Sequence, residues 1–318
     1  MKKTTVLTFA TLLSLASTAV AWTTIDLPDR VSFNNTAMTH LSDGRLVYAH
    51  DGSIYQQDTF GSAALSTYAN APTGDYGYIT GNGFLGGGGF SGASVYEFTA
   101  AGTSTAFTSI GTQQNYGAVA YDGSSVLMVG GNGADAVSEV GHLSSAGVYT
   151  SIVSNVSSFS GGITLDGSAN LYVANGNNND IYSFSAAQVT ASLAGTTLTV
   201  ADGAFVANLG VSGSLAVDTL GRLYAAGYQL NGIQVFDLNT SITSSIIPLE
   251  ENTNYVVSAF TDGSDDYVGW LNTGGFSAGD SVVYGYELDG SIVVPEPSAY
   301  ALLAGLLSCA AVCVRRRK

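Results

Sequence analysis

Between residues 22 and 293 the apolar positions of this chain fall in short runs rich in Val, Ile, Leu and Tyr, separated by Asp-Gly, Asn-Gly and Gly-Gly pairs. Runs of that kind predict antiparallel strands joined by tight hairpins. The runs also repeat. Ile163, Thr164 and Leu165 precede Asp166, and Leu171, Tyr172 and Val173 follow it. Leu215, Ala216 and Val217 stand in the same relation to Asp218 and to Leu223, Tyr224 and Ala225. Val119 and Ala120 precede Asp122, with Leu127, Met128 and Val129 after it. In all three a further run begins fifteen residues beyond the aspartate, at Ile181, Ile233 and Val137. Looser copies surround Asp43 and Asp262, and a unit carrying Tyr78, Ile79, Val95 and Tyr96, without the aspartate, fits between Asp43 and Asp122.

Six units of roughly 40 to 50 residues, each with three or four strands, are what a β-propeller requires. The expected fold is therefore all-β, a six-bladed propeller of antiparallel strands over 22–293, with a β-solenoid or sandwich as the alternative. No helical periodicity is read in this part of the chain. Residues 23–27 are expected to complete the last blade and close the ring, which removes exposed strand edges. Asp43, Asp122, Asp166, Asp218 and Asp262 read as carboxylates that cap the turn between the first and second strands of a blade by accepting backbone N–H bonds.

The two ends differ from the middle. The chain opens with Lys2 and Lys3, an apolar stretch of small residues, and Ala19 and Ala21 just before Trp22. This predicts a signal peptide over 1–21, cut by signal peptidase, with the mature chain starting at Trp22. Near the other end, Pro295, Glu296 and Pro297 precede seventeen uncharged residues, 298–314, and then Arg315, Arg316, Arg317 and Lys318. As a helix, those seventeen residues span about 26 Å, the thickness of a thin bilayer. The terminal cations keep the tail end cytoplasmic and place the large domain on the other side.

Residues 294–318 resemble the PEP-CTERM sorting signal of Gram-negative bacteria. The resemblance implies that an exosortase, a membrane-embedded transpeptidase-like enzyme, recognises Pro295, Glu296 and Pro297. It also implies export through the inner membrane, a membrane-anchored stage before processing, and a destination at the cell surface or in the extracellular matrix, often with exopolysaccharide.

Charge narrows the partners. Of the nine Lys and Arg in the chain, only Arg30, Arg45 and Arg222 lie in 22–293, against all but one of the 24 acids. Such a surface repels phosphates, which excludes nucleic acid. Cys309 and Cys313 both lie in the tail, so the exported domain has neither disulfide nor thiol chemistry. Its stability rests on packing.

The central repeats, with Asn170, Leu171, Tyr172 and Val173 followed by Asp180, Ile181 and Tyr182, resemble NHL-repeat and gluconolactonase-type propellers. In the latter, carboxylates and an amide hold a divalent metal at the channel, beginning with an early Glu. Here no Glu occurs from 22 to 96, and His40, His50 and His142 are too scattered for a metal site. No Gly-x-Ser-x-Gly elbow is present. No catalytic residue and no cofactor are expected. Calcium is the candidate ion for two oxygen-rich stretches, 262–266 and 175–180, though neither has the EF-hand spacing. The Gly86 to Gly89 run reads as a flexible turn. These features favour a non-enzymatic exported propeller that binds a matrix polymer or protein, or builds the matrix; the alternative is a metal-dependent propeller hydrolase or lyase.

Overall fold

The computed structural model describes residues 22–29, 37–50, 52–70, 76–87, 93–98, 104–109, 115–131, 137–157, 161–176, 179–210, 213–227, 232–245, 255–272 and 281–292. Six antiparallel sheets are arranged as blades around a closed ring. Blade 1 contains Ala37–His40, Leu46–His50, Ser53–Gln57 and Leu65–Asn70, in that order from the centre outwards. Blade 2 contains Tyr76–Ile79, Phe84–Gly87, Ser94–Phe98 and Ser104–Ser109, and blade 3 Gly117–Ala120, Val126–Gly131, Val137–Leu143 and Tyr149–Ser157. Blade 4 contains Ile163–Leu165, Leu171–Asn175, Asp180–Phe184 and Ala204–Asn208, and blade 5 Ser214–Val217, Arg222–Ala226, Ile233–Asp237 and Ile242–Ser245.

Blade 6 joins the two ends of the domain. Tyr255–Thr261, Asp266–Asn272 and Val282–Leu288 supply its inner strands, and Thr23–Leu27 adds the outermost one, with Thr23 opposite Tyr286 and Leu27 opposite Val282. The innermost strands of neighbouring blades touch all the way round, including blade 1 against blade 6.

The period-two alternation of each strand explains the packing. In the second strand of blade 3, Val126 and Met128 face blade 2, where they meet Tyr78, Phe84 and Val95. Leu127 and Val129, on the opposite face, pack on Ile163, Leu171 and Val173 of blade 4. Both faces of a blade are thus apolar, and one such cluster lies in each of the six gaps. Each fully buried Val, Leu or Met side chain stabilises the ring by about 1.5–3 kcal/mol, so a domain without cross-links has an adequate core.

Two expectations are corrected. A helix, Ala186–Leu193, interrupts blade 4 between its third and fourth strands. Ser185 caps it and Gln188 reaches back to the Ser185 backbone, a reciprocal pair that satisfies two otherwise unpaired N–H groups. Gly86 and Gly87 are buried strand residues of blade 2, and a Cβ on Gly86 would lie 2.5 Å from the Tyr78 ring. That glycine makes room for an aromatic neighbour. No helix among the described residues is long and apolar enough to cross a membrane, and 298–314 lie outside them.

Candidate functional site

The first strand of every blade runs inwards from one face of the ring, the entry face, to the other, where it turns into the second strand. The expected aspartates all lie at that second face. In each turn a carboxylate oxygen accepts the backbone N–H two residues on: Arg45 to Asp43 at 3.3 Å, Ser124 to Asp122 at 2.7 Å, Ser168 to Asp166 at 2.8 Å, Leu220 to Asp218 at 3.0 Å and Ser264 to Asp262 at 2.9 Å. Asp166 and Asp218 also accept the N–H four residues on, from Asn170 and Arg222. Blade 2 has Thr80 at this place, and its hydroxyl accepts the N–H of Phe84 at 3.1 Å. A hydroxyl thus replaces the carboxylate in the unit that lacks one.

The channel enclosed by the inner strands holds a cavity of about 310 Å³. Its wall is made mostly of Gly, Ala, Val, Ile and Leu with Met38, the phenols Tyr78 and Tyr116, and hydroxyls from Thr39, Thr80, Thr164, Ser214 and Ser258; among the described residues no Asp, Glu or His contributes to it. Near the entry face the strands crowd together: a Cβ on Gly117 would stand 1.9 Å from the carbonyl oxygen of Gly161. Only glycine permits that approach.

One histidine lies close behind the wall. His40, on blade 1, is hydrogen-bonded through Nδ1 to the Ser258 hydroxyl at 2.8 Å and through Nε2 to the Tyr284 hydroxyl at 2.9 Å, both on blade 6. Its ring is stacked on Phe260 at 3.6 Å. The order hydroxyl, imidazole, orienting partner has the outline of a nucleophile and its base. Burial, however, pushes the imidazole pKa down to about 3, and a base that weak removes little of a serine's proton near neutral pH. The trio serves as a polar fastening across the seam where the ring closes. Sequence reading missed it because His40 and Ser258 are 218 residues apart. His50 lies in the second strand of blade 1 and bonds the Asp29 carbonyl, and His142 lies in blade 3 beside Tyr121. The three histidines do not meet.

A second polar cluster lies at the aspartate face between blades 5 and 6. Arg222 is buried, with Nε 2.6 Å from Asp218, and its other nitrogens bind the Asp289 carboxylate and the carbonyls of Asp289 and Ile292. The Tyr224 hydroxyl donates to Asp218 at 2.8 Å. Two carboxylates against one guanidinium leave an excess negative charge in a dry place. Burial, then the neighbouring Asp218, pushes Asp289 up to about 7. Asp218 is held below the ordinary range, since its bonds to Asp289, the Arg222 backbone and Tyr224 outweigh burial. Ile292 and Trp22 pack into the same apolar cluster, where Trp22 meets Trp270 edge to face at 6.2 Å. Both ends of the domain therefore converge here.

In the two stretches considered for calcium, several of the described oxygens have partners within the domain. Asp262 Oδ1 accepts from Ser264 and Asp265, bonds that lower its pKa to about 2, and Oδ2 accepts from Tyr267. Asn175 accepts the Ser157 N–H at 2.6 Å, and Asp180 bonds Asn208 at 2.9 Å. Among the described residues no three His, Cys, Asp or Glu side chains gather as metal ligands; residues 177 and 178 of the second stretch lie outside them. Ala19, Ala21, Pro295, Glu296, Pro297, Arg315, Arg316 and Arg317 lie outside the described residues.

No family model and no curated protein matches the chain. Solved structures do. The calcium-binding protein regucalcin from Agrobacterium tumefaciens is 11% identical, with a TM-score of 0.59, over 83% of this chain and 93% of that one. A gluconolactonase from Xanthomonas campestris is 13% identical, with a TM-score of 0.57, over 85% of this chain and 91% of that one. A streptogramin B lyase is 12% identical, with a TM-score of 0.53, over 85% and 97%. At such identities the likeness concerns the fold: this chain has the six-bladed propeller architecture of the gluconolactonase-type proteins.

Proposed function

We propose that this chain is an exported, non-enzymatic propeller, delivered through its C-terminal tail to the cell surface or extracellular matrix, where it binds or helps to build the matrix. The observation that carries the non-enzymatic part is the channel wall. Hydrolysis or elimination needs a group that takes or gives a proton near neutral pH, or oxygens and nitrogens that can hold a metal. Among the described residues the wall offers glycines, aliphatic side chains, hydroxyls of Ser and Thr and the phenols Tyr78 and Tyr116, with no carboxylate or imidazole. The lactonase and lyase activities in the names of the similar structures would need a base or metal ligands in the channel, and the described side chains of its wall supply neither.

The export and sorting part rests on the sequence at the two ends. Intact mass and fractionation in hosts with and without an exosortase test it: a mature chain starting at Trp22 and ending near Pro297, released only when that enzyme is present, is expected. A chain retaining 298–318 in both hosts overturns it. For the channel, purified protein is exposed to a fluorophosphonate probe and to a panel of lactones with added divalent metals. No labelling of Ser258 and no turnover are expected; turnover abolished by chelation, or labelling lost in Ser258→Ala, overturns the non-enzymatic reading.

A further inference from the structure

We propose that the aspartate face of the propeller lies against the phospholipid surface while the tail is in the membrane, so that the entry face points away from it. This rests on the sorting reading above and adds an orientation to it. The tether is the first reason. Ile292 is buried, its carbonyl is held by Arg222, and its N–H bonds the Asp289 carbonyl at 3.2 Å. From that fixed point to Ser298, the first residue of the apolar tail, the chain can reach at most about 20 Å even when fully extended. The fixed point is at the aspartate face, since Leu288 pairs with Tyr267, just beyond the turn that holds Asp262. A domain on so short a lead has that side next to the bilayer.

The exposed apolar side chains give an independent reason. Among the described residues, the large hydrophobics left exposed are Val148 (59%), Phe205 (61%), Leu220 (54%) and Leu288 (41%). Val148 ends the turn before the fourth strand of blade 3, and Phe205 lies in the fourth strand of blade 4 opposite Tyr182, the middle residue of the third. Leu220 is in the first turn of blade 5, and Leu288 ends the third strand of blade 6. Val148, Leu220 and Leu288 are at the aspartate face, along the arc of blades 3 to 6 that includes the tail's point of departure, and Phe205 is at mid-height on the outer edge of blade 4. One exposed leucine means nothing; three large apolar side chains on one face at the tethered side match side chains dipping into an interface. Exposed Asp43 and Asp122 and half-buried Asp262 share this face and repel anionic headgroups, so tether and apolar contact hold it there against charge.

The test uses the full chain with Cys309→Ser and Cys313→Ser as a cysteine-free background. The chain is reconstituted in phosphatidylethanolamine and phosphatidylglycerol vesicles carrying nitroxide headgroups. A fluorophore is placed at Val148→Cys, at Leu220→Cys, or at Asn70→Cys, which is exposed at the entry end of blade 1. Quenching at the first two positions is expected to exceed that at the third at least about threefold, since a strand of five residues separates the faces by roughly 17 Å. Equal or reversed quenching overturns the orientation. Hydrogen exchange of the same chain in detergent checks the tether separately. Slow exchange through Ile292 is expected, and fast exchange over 289–292 overturns the short lead. Failure to float with the vesicles, by contrast, overturns the sorting reading and the orientation with it, while leaving the tether to stand on exchange.

Discussion

Gly44 of blade 1 and Asp262 of blade 6 are in contact across the seam of the ring: a Cβ on Gly44 would lie 2.9 Å from the Cβ of Asp262. Gly44 also has a φ of +81°, in the left-handed region. Gly44→Ala is expected to destabilise the domain by about 3 kcal/mol, through backbone strain and a clash that pushes the closing blades apart. Gly52 has the same kind of φ, +82°, with nothing within 4 Å. Gly52→Ala should cost only about 1 kcal/mol, and the difference, measured by urea denaturation, isolates the seam contact.

The seam also depends on the N-terminal strand. Ile25 is buried between blades 6 and 1 beside Met38, Leu46 and Leu271. Ile25→Ala is expected to lower stability by about 3 kcal/mol, and hydrogen exchange should accelerate first in Val282–Leu288, the strand it covers.

His40 sets the acid limit. Burial depresses its folded pKa to about 3 from 6.5. Between those values the unfolded chain binds a proton that the folded one does not, so stability is lost as pH falls from about 6.5 towards 3. In His40→Gln the acid side of the stability profile should be shallower than in the parent, although the variant is weaker at pH 7 by about 1–2 kcal/mol for the lost bonds to Ser258 and Tyr284. Parallel slopes below pH 6 would refute this.

Asp289 has the opposite sign. With a folded pKa raised to about 7 from 3.8, it retains a proton that the unfolded chain releases, so its contribution declines as pH rises from about 4 to 7. Asp289→Asn mimics the protonated acid, accepting from Arg222 and donating to Asp218. Relative to the parent, the variant should gain about 2 kcal/mol between pH 5 and pH 8. Denaturant midpoints at the two pH values check this.

Much of the ring was legible because its signals are local. The aspartate two residues before a backbone N–H, the hairpin pairs and the apolar runs all lie within one blade, and the run 23–27 could be placed by the need to close an edge. The helix Ala186–Leu193 was missed because its residues are mostly small or polar and its apolar face is narrow, though the Ser185 and Gln188 pair was there to be read. The seam fastening and the Arg222 cluster could not be found that way. His40 with Tyr284, and Arg222 with Asp289, are 244 and 67 residues apart, and only the closed ring brings them together.

The excursion that carries the helix has a mechanical consequence. After Leu193 the chain passes over the neighbouring sheet, where Leu198–Thr199 pairs in parallel with Val153 and Ser154 of blade 3 before blade 4 is finished. Ser192 Oγ adds a bond to the Ile152 carbonyl at 2.6 Å. Blades 3 and 4 are therefore splinted by main-chain bonds, whereas among the described residues blades 6 and 1 meet through side chains and close contacts at the seam. Pulled or partly denatured, the ring should part at the seam and leave the splinted pair as its most durable piece.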